Sequence, residues 1–311
     1  MAEHSIGDCS PYDPAGHLDA ARVAFPAAAL HPAFSDRGLI YCDKGERKMR
    51  WVNFSIGGKS AYGIIEGDTV KEVAGNPILG AWEPTSRTHK LSEIKYEIPI
   101  IPRTFYAAGL NYAEHVIEVA KKNGVEPNLP PNPDMGYRAQ NALIAHQDNV
   151  IIPADAGELI HYEGELVVII GKKAKHLTEA NALDVVFGYT IGNDVSERTW
   201  QRNDRTFWRG KNADTFKPMG PWIETDLKLD DNLITTVNVN GRESLRYHTN
   251  HMLFGVVRFL VAMTKYLTVY PGDVMWMGTD GTSPNLVHGD VVDVSITGIG
   301  TLTNKFVREG M

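Results

Sequence analysis

Short runs with the two-residue alternation of β-strands recur along most of this sequence, whereas segments with helical periodicity are few. Gly, Asp and Asn separate the runs, and Asn240-Gly241 predicts a hairpin turn after one of them. Helices are expected only near residues 112–123, 195–202 and 253–266, and Asn111 is expected to cap the first of them. Doubly wound and TIM-barrel folds require strands and helices in regular alternation. The pattern therefore predicts a mixed, β-rich α/β architecture instead.

The chain divides into three segments by composition and periodicity. Residues 1–48 are rich in Ala and Pro and have no sustained period, so we expect an N-terminal extension that is poorly ordered or packs late. Residues 49–98 alternate as strands do and predict a small N-terminal β-rich domain. The segment 99–102 (PIIP) is interpreted as a linker, because proline restricts the backbone. Residues 103–311 are expected to form the catalytic domain.

Composition and absent motifs exclude several classes of protein. The net charge is −7, and no Lys/Arg-rich stripe is present, which argues against nucleic acid as a partner. No apolar run approaches the roughly 20 residues of a membrane span. The two cysteines, Cys9 and Cys42, both precede residue 49, so they cannot form a disulfide framework in the main body of the protein. A reducing cytoplasm is the expected location. Signatures of serine hydrolases, zinc proteases, P-loop proteins and Rossmann folds are missing.

Two glutamates precede a strongly apolar strand pattern. Glu163 and Glu165 are two residues apart, so on a strand both side chains point to the same face. That face continues with Val167 and Ile169, which belong in a core. Two carboxylates at the end of a buried face repel each other unless a cation lies between them, and Mg²⁺ is a hard ion that binds carboxylate oxygens. The alternative is a strand whose first half is simply exposed.

A third acid, Asp194, stands between a strand pattern and a helix pattern. Its ordinary interpretation is a helix N-cap, with Glu197 at the capping-box position. Its functional interpretation is a further carboxylate ligand presented at the end of a strand. The residues by themselves leave both interpretations open.

Two more segments carry groups suited to acid–base chemistry. His115 and Glu118 are three residues apart on a predicted helix, and a carboxylate that fixes the tautomer of a histidine helps it to act as a general base. Lys211 lies in a glycine-punctuated loop, where it can donate to a carboxylate or a developing oxyanion. Each feature alone is also typical of an ordinary protein surface.

Taken together and in order, these segments resemble the fumarylacetoacetate hydrolase (FAH) superfamily. The resemblance covers about residues 49–311 and does not include residues 1–48. Its motifs are residues 109–115 (GLNYAEH), 163–172 (EGELVVIIGK), 188–198 (GYTIGNDVSER), 210–211 (GK), 214–216 (DTF), 218–222 (PMGPW), 271–274 (PGDV), 289–292 (GDVV) and 298–302 (GIGTL).

The resemblance implies an FAH-type β-roll catalytic domain, a homodimer and a bound Mg²⁺ or Mn²⁺. The family's T-G-T-P motif is here 277–280 (MGTD), and an arginine stands where the family's lid usually has a lysine. Both departures concern the substrate pocket. Carried over by motif, the metal ligands are Glu163, Glu165 and Asp194, the catalytic groups are His115, Glu118 and Lys211, and the substrate-binding residues are Arg138, Arg198, Gln201 and Thr279.

These residues predict a divalent-metal-dependent hydrolase that cleaves a carbon–carbon bond in a 3-acylpyruvate or related 2-oxo acid or β-diketone, as in aromatic compound catabolism. The ion would stabilise an enolate while His115, held by Glu118, activates water. The same platform would serve a 2-oxo acid decarboxylase, a 2-hydroxymuconate-type isomerase or a lyase. A non-catalytic, metal-stabilised binding protein is the alternative from another class. The expected partner is thus a small molecule rather than nucleic acid or membrane.

Because residues 1–48 lack both periodicity and family motifs, a chain that begins at Met49 should fold and keep most of its specific activity. Expression of the two chain lengths side by side, followed by thermal unfolding and activity measurements, checks this. An insoluble or inactive shortened chain would show that the segment packs into the core or into a subunit interface.

Overall fold

The computed structural model describes residues 49–311, and the expectation for residues 1–48 lies outside this part of the chain. Within it, strands dominate and α-helices are few, which confirms the predicted β-rich architecture. The strands are β1 (Arg50–Ile56), β2 (Lys59–Glu66), β3 (Thr69–Gly75), β4 (Trp82–Lys90), β5 (Lys95–Tyr96), β6 (Phe105–Gly109), β7 (Asp134–Tyr137), β8 (Leu143–Ile144), β9 (Asn149–Ile152), β10 (Ile160–His161), β11 (Gly164–Ile170), β12 (Val186–Asn193), β13 (Ser196–Glu197), β14 (Lys217–Glu224), β15 (Ile234–Val239), β16 (Arg242–His248), β17 (Val274–Trp276), β18 (Val291–Ile296) and β19 (Gly300–Arg308). The α-helices are α1 (Ala113–Asn123), α2 (Arg198–Asn203) and α3 (Val256–Thr264).

The strands form a large sheet, a smaller sheet and a two-stranded ribbon. The 12-stranded sheet follows the path β4-β3-β2-β1-β14-β12-β11-β17-β6-β7, with β5 paired to β1 and β8 to β14. The 5-stranded sheet has the order β16-β15-β18-β19-β9, and β10 pairs with β13. The N-terminal hairpins join the large sheet through β1, whose Arg50 lies opposite Glu224 of β14. Residues far apart in sequence therefore share one sheet.

β11 is the central strand of the site and is buried along its whole length between β12 and β17. Its apolar residues alternate between two cores, as the two-residue period predicts. Leu166 and Val168 belong to the core that includes Val294 of the smaller sheet, whereas Val167 belongs to the core that includes Trp276. The face that carries the two glutamates therefore continues into a core.

The N-terminus of α1 is capped differently from the prediction. Asn111 does not cap it, because its buried side-chain amide donates to the carbonyls of Met277 and Phe254, at 2.9 and 3.1 Å. The carboxylate of Asp280 instead accepts a hydrogen bond from the backbone N–H of His115 at 3.1 Å. A distant loop thus supplies the cap that the local sequence was expected to provide.

Gly164 separates the two glutamates because the smaller sheet packs directly against it. A Cβ atom at this position would lie 2.7 Å from Val294 Cγ1 and 3.0 Å from Val237 Cγ2. The carbonyl of Gly164 also accepts a hydrogen bond from the Tyr247 hydroxyl at 2.6 Å. The close approach of the two sheets therefore requires a residue without a side chain.

Gly164→Ala should lower the free energy of unfolding by about 1–3 kcal/mol, since an added methyl group overpacks this core. Denaturant titration of both proteins measures the difference. Gly80→Ala is the matched control, because nothing lies within 4 Å of a Cβ added at Gly80. Equal stability of the two variants would contradict the close packing described for Gly164.

Candidate active site

Three acidic side chains meet where β11 begins and β12 ends. The two strands are antiparallel, with Gly164 opposite Asn193, so Glu163, Glu165 and Asp194 come to the same end of the sheet. One carboxylate oxygen from each lies within 4.8 Å of the other two. The three residues are only 6%, 2% and 1% exposed, so the alternative of an exposed strand start is wrong.

Asp194 is not a helix cap. α2 begins at Arg198, and the cap is Glu197, whose carboxylate accepts hydrogen bonds from the backbone N–H groups of Thr199 and Trp200. The capping interpretation of Asp194 is therefore wrong, and its side chain is available to the acidic cluster.

Buried cations neutralise the cluster. Lys211 Nζ lies 2.5 Å from Glu163 Oε2 and 3.0 Å from Asp194 Oδ2, so it bridges two of the acids. Arg198 pairs with Glu163 Oε1 at 2.7 Å, and Arg138 pairs with Asp194 Oδ2 at 2.9 Å. The structure therefore brings three predicted substrate or catalytic residues onto the predicted metal ligands.

Lys217, which the sequence analysis did not single out, completes this set of cations. Its Nζ lies 2.6 Å from Asp194 Oδ1 and donates to the carbonyls of Val195 and Phe216, both at 2.9 Å. Burial lowers the pKa of the ammonium to about 8, although Asp194 opposes this shift. The available signal was a lysine at the start of an apolar strand pattern, because a buried lysine requires an anionic partner.

The cations keep two of the acids ionised. Burial alone would raise the pKa of Glu163, but Lys211 and Arg198 together lower it to about 2. Burial acts on Asp194 in the same direction, and there the surrounding cations hold the pKa well below its usual range. Both carboxylates are therefore poised to act as anionic ligands.

Glu165 is in a different situation from the other two acids. Within the described residues it makes no ion pair, and its Oε2 accepts a hydrogen bond from the Gly278 N–H at 2.8 Å. Burial, together with the negative charges of Asp194 and Glu163, raises its pKa well above the usual range. A divalent cation would remove this repulsion, and carboxylate oxygens are the donors that Mg²⁺ and Mn²⁺ prefer. The donor set thus fits such an ion.

The remaining predicted substrate residues lie at the edge of the cluster. Gln201 reaches it through Arg198, whose Nη1 donates to Gln201 Oε1 at 2.8 Å, while Arg198 Nε donates to His161 Nδ1 at 3.1 Å. Thr279 is buried and directly follows Gly278, the residue bonded to Glu165. The sequence analysis assigned no role to His161, because its partner Arg198 lies 37 positions away in the chain.

His115 is held by a backbone carbonyl rather than by the predicted carboxylate. Its Nδ1 lies 2.6 Å from the Gly281 carbonyl oxygen. Since a carbonyl only accepts, Nδ1 carries a proton, and Nε2 is the ring nitrogen left to exchange one. Glu118 is exposed, and the described structure contains no hydrogen bond or ion pair between it and His115. The predicted His115–Glu118 contact is therefore not formed, because Gly281 already satisfies Nδ1.

A cavity of about 650 Å³ lies beside the cluster on the Arg138 side. Its wall includes three aromatic residues, Tyr137, Trp200 and Trp208, and Arg209 lies over the rings of both tryptophans. Arg138 both lines this cavity and pairs with Asp194, so it connects the cavity with the acidic cluster.

Comparison with known proteins places the chain in a family. The model described as "Fumarylacetoacetate (FAA) hydrolase C-terminal" matches residues 104–307, well over half of the chain, and "Rv2993c-like, N-terminal" matches residues 49–95. The chain belongs to the fumarylacetoacetate hydrolase superfamily. The resemblance deduced from the motifs, and the FAH-type fold that it implied, are thereby confirmed.

Relatives within the superfamily are named for different reactions. Oxaloacetate tautomerase YisK of Bacillus subtilis is 31% identical over 87% of this chain and 93% of its own length. The 2,4-didehydro-3-deoxy-L-rhamnonate hydrolase of a Sphingomonas strain is 32% identical over 81% of this chain and 94% of its own length. The X-ray structure of 5-carboxymethyl-2-hydroxymuconate delta-isomerase from Mycobacterium smegmatis is 36% identical, with a TM-score of 0.75, and covers 84% of this chain and 100% of its own.

These superfamily members are named as enzymes, and their names include a tautomerase, a hydrolase and an isomerase. Membership therefore indicates an enzyme without deciding among these reactions. In residues 49–311, no helix combines the length and the apolar character needed to cross a membrane.

Glu165→Ala should weaken Mg²⁺ and Mn²⁺ binding strongly, because it removes one of three buried carboxylates that fit the ion. Calorimetric titration of the metal-free protein measures the affinity. Glu158→Ala is the control, since Glu158 is exposed and lies outside the cluster. If Glu165→Ala binds the ion as tightly as the unmodified protein, Glu165 is not a ligand.

Proposed function

We propose that this protein is a divalent-metal-dependent enzyme that moves a proton on a small 2-oxo acid, as a keto–enol tautomerase or a double-bond isomerase. One observation carries the choice within the superfamily. The imidazole of His115 is fixed by the Gly281 carbonyl at 2.6 Å, has no carboxylate partner within the described residues, and interacts electrostatically with Glu163 of the cluster. A histidine held in this way has one ring nitrogen fixed and the other left for a single proton transfer.

The charges of the site favour an anionic substrate. Four cationic side chains contact Glu163 and Asp194, so the positive charges outnumber the acids of the cluster even before an ion is added (Arg138, Arg198, Lys211 and Lys217). The addition of a divalent ion increases this excess. Negatively charged carboxylates of a 2-oxo acid would neutralise it.

We assign separate roles in metal binding, oxyanion stabilisation and substrate binding to the residues of the site. Glu163, Glu165 and Asp194 would hold Mg²⁺ or Mn²⁺, which acts as a Lewis acid on the 2-oxo group when it is bound. Lys211 is buried and can turn from the acids to an oxygen on which negative charge develops. We assign the substrate carboxylates to Arg198, with Gln201 beside it, and to Arg138. Thr279 would contribute a hydroxyl at the edge of the pocket.

His115 would move the proton. Its Nδ1–H is used by the Gly281 carbonyl, which leaves Nε2 to take a proton from the carbon next to the keto group. Nε2 would deliver that proton to the enolate oxygen in a tautomerisation, or to another carbon of the conjugated system in an isomerisation. The cavity beside Arg138 offers space for the distal part of the substrate, which its aromatic wall would contact.

Hydrolysis of a carbon–carbon bond in a 3-acylpyruvate-type compound is the second candidate. It is favoured by the similarity to the Sphingomonas hydrolase and by Lys211, which is placed to stabilise an oxyanion. This reaction needs water activated by His115, and Glu118 would assist the imidazole only by moving from its exposed position. Decarboxylation of an oxaloacetate-like acid depends chiefly on the ion as an electron sink.

The proposal includes three finer statements. The ion is Mg²⁺ or Mn²⁺, because the donors are carboxylate oxygens alone. The active form is a homodimer, as the family resemblance implies. The cytoplasm is the location, because the chain has only two cysteines and needs no oxidising compartment.

His115→Ala should reduce oxaloacetate tautomerisation by about 10²–10⁴-fold, the usual weight of general acid–base catalysis, and should spare oxaloacetate decarboxylation much better. Glu118→Gln should leave tautomerisation within a few-fold of the unmodified protein. Both variants are measured at saturating Mg²⁺ with their metal content checked, because loss of the ion would imitate loss of the base.

The same variants decide between the candidates when 3-acylpyruvates are supplied. Efficient acylpyruvate cleavage that falls with both His115→Ala and Glu118→Gln would establish the hydrolase and reject the tautomerase. Undiminished tautomerisation in His115→Ala would show that His115 is not the base. Failure of the metal-loaded protein to turn over any 2-oxo acid would favour the binding-protein alternative.

A further inference from the structure

Lys217 is bound in a way that leaves it no role in direct contact with a substrate. An ammonium group has three N–H donors. Those of Lys217 have three acceptors, namely Asp194 Oδ1 at 2.6 Å and the carbonyls of Val195 and Phe216 at 2.9 Å. The side chain is 0% exposed. The function of Lys217 must therefore act through Asp194.

The two oxygens of Asp194 have different surroundings. Oδ2 contacts Lys211, which also reaches Glu163, so this oxygen lies on the side that the acids share. Arg138 approaches chiefly Oδ2, with Nη2 at 2.9 Å and Nε at 3.3 Å from each oxygen. Oδ1 makes its short contact with Lys217. Oδ2 is thus the oxygen on the side that the acids share, where an ion held by all three acids would replace the contacts of Lys211 and Arg138.

The other two acids are restrained in a comparable way. Glu163 Oε1 is held by Arg198 at 2.7 Å, which leaves Oε2 on the side of Lys211. Glu165 Oε2 is held by the Gly278 N–H at 2.8 Å. Glu163 and Asp194 therefore each have one oxygen held away from Lys211 by another cation and a second oxygen on the side of Lys211.

We infer that Lys217 is a positioning residue that restricts Asp194 to a single metal-facing oxygen. By occupying Oδ1, its ammonium prevents both oxygens of this carboxylate from binding the same ion. An octahedral Mg²⁺ or Mn²⁺ held by one oxygen from each acid keeps roughly three of its six positions for water and substrate. The inference rests on the metal site proposed above and not on the reaction assigned to it.

The full chain loaded with Mn²⁺ alone provides the direct test. A crystal structure should show Asp194 bound to the ion through Oδ2, with Oδ1 still on Lys217. Electron paramagnetic resonance in ¹⁷O-enriched water should count roughly three exchangeable waters on the ion. Two Asp194 oxygens on the ion in the unmodified protein would overturn the inference without the need for any variant.

Lys217→Met removes the ammonium with little change in volume and frees Oδ1. The expected result is one exchangeable water fewer on Mn²⁺, because Asp194 then binds through both oxygens. An unchanged count would overturn the inference, whatever the affinity. Weaker binding by about 10–100-fold with an unchanged count is the behaviour of a donor that merely orients a ligand.

Two further variants make the measurement robust. Lys217→Gln places a polar group in the same buried position, but its side chain is one bond too short to hold Oδ1. This variant should therefore also lose one water, and it replaces Lys217→Met in the test if Lys217→Met does not fold. Lys172→Met removes an exposed lysine next to β11 and should keep the count of the unmodified protein. Because no substrate is present, a failure here is distinguishable from a failure of the proposed tautomerase.

Discussion

The structure of the site depends on positive charge buried around three buried acids. Removing carboxylates from water is unfavourable unless cations and hydrogen bonds replace the lost solvation. Glu163 and Asp194 receive both, since Arg198 and Lys211 hold the first, while Arg138, Lys211 and Lys217 hold the second. The cations are nonetheless distributed unevenly, because Glu165 makes no ion pair within the described residues. This imbalance is what makes the site receptive to a cation.

The large sheet explains how these charges come together. β12 lies between β11 and β14, so Asp194 at the end of β12 meets Glu163 before β11 and Lys217 at the start of β14. The smaller sheet covers the opposite side of β11 so closely that the residue between the two glutamates is Gly164. Packing on one face of the strand therefore fixes the position of the acids on the other.

The sequence revealed those parts of the site that depend on local spacing. Alternation along one strand placed Glu163 and Glu165 on the same face, and family motifs added Asp194 and Lys211. It did not reveal the contacts made between distant segments. Lys217 looks like any lysine at a strand end until its partner is seen. The spacing of His115 and Glu118 was compatible with a contact, but the carbonyl of Gly281, 166 residues away from His115, binds the imidazole instead.

The loop that follows β17 serves the acids and the histidine at once. It gives the N–H of Gly278 to Glu165, the carbonyl of Gly281 to the His115 side chain, and the Asp280 carboxylate to the backbone at the start of α1. Ordering this one loop therefore costs conformational entropy once, although the loop positions Glu165, the His115 side chain and the start of α1. A ligand that orders the loop through the metal site orders the histidine as well, so the two parts of the site are thermodynamically linked through a shared segment.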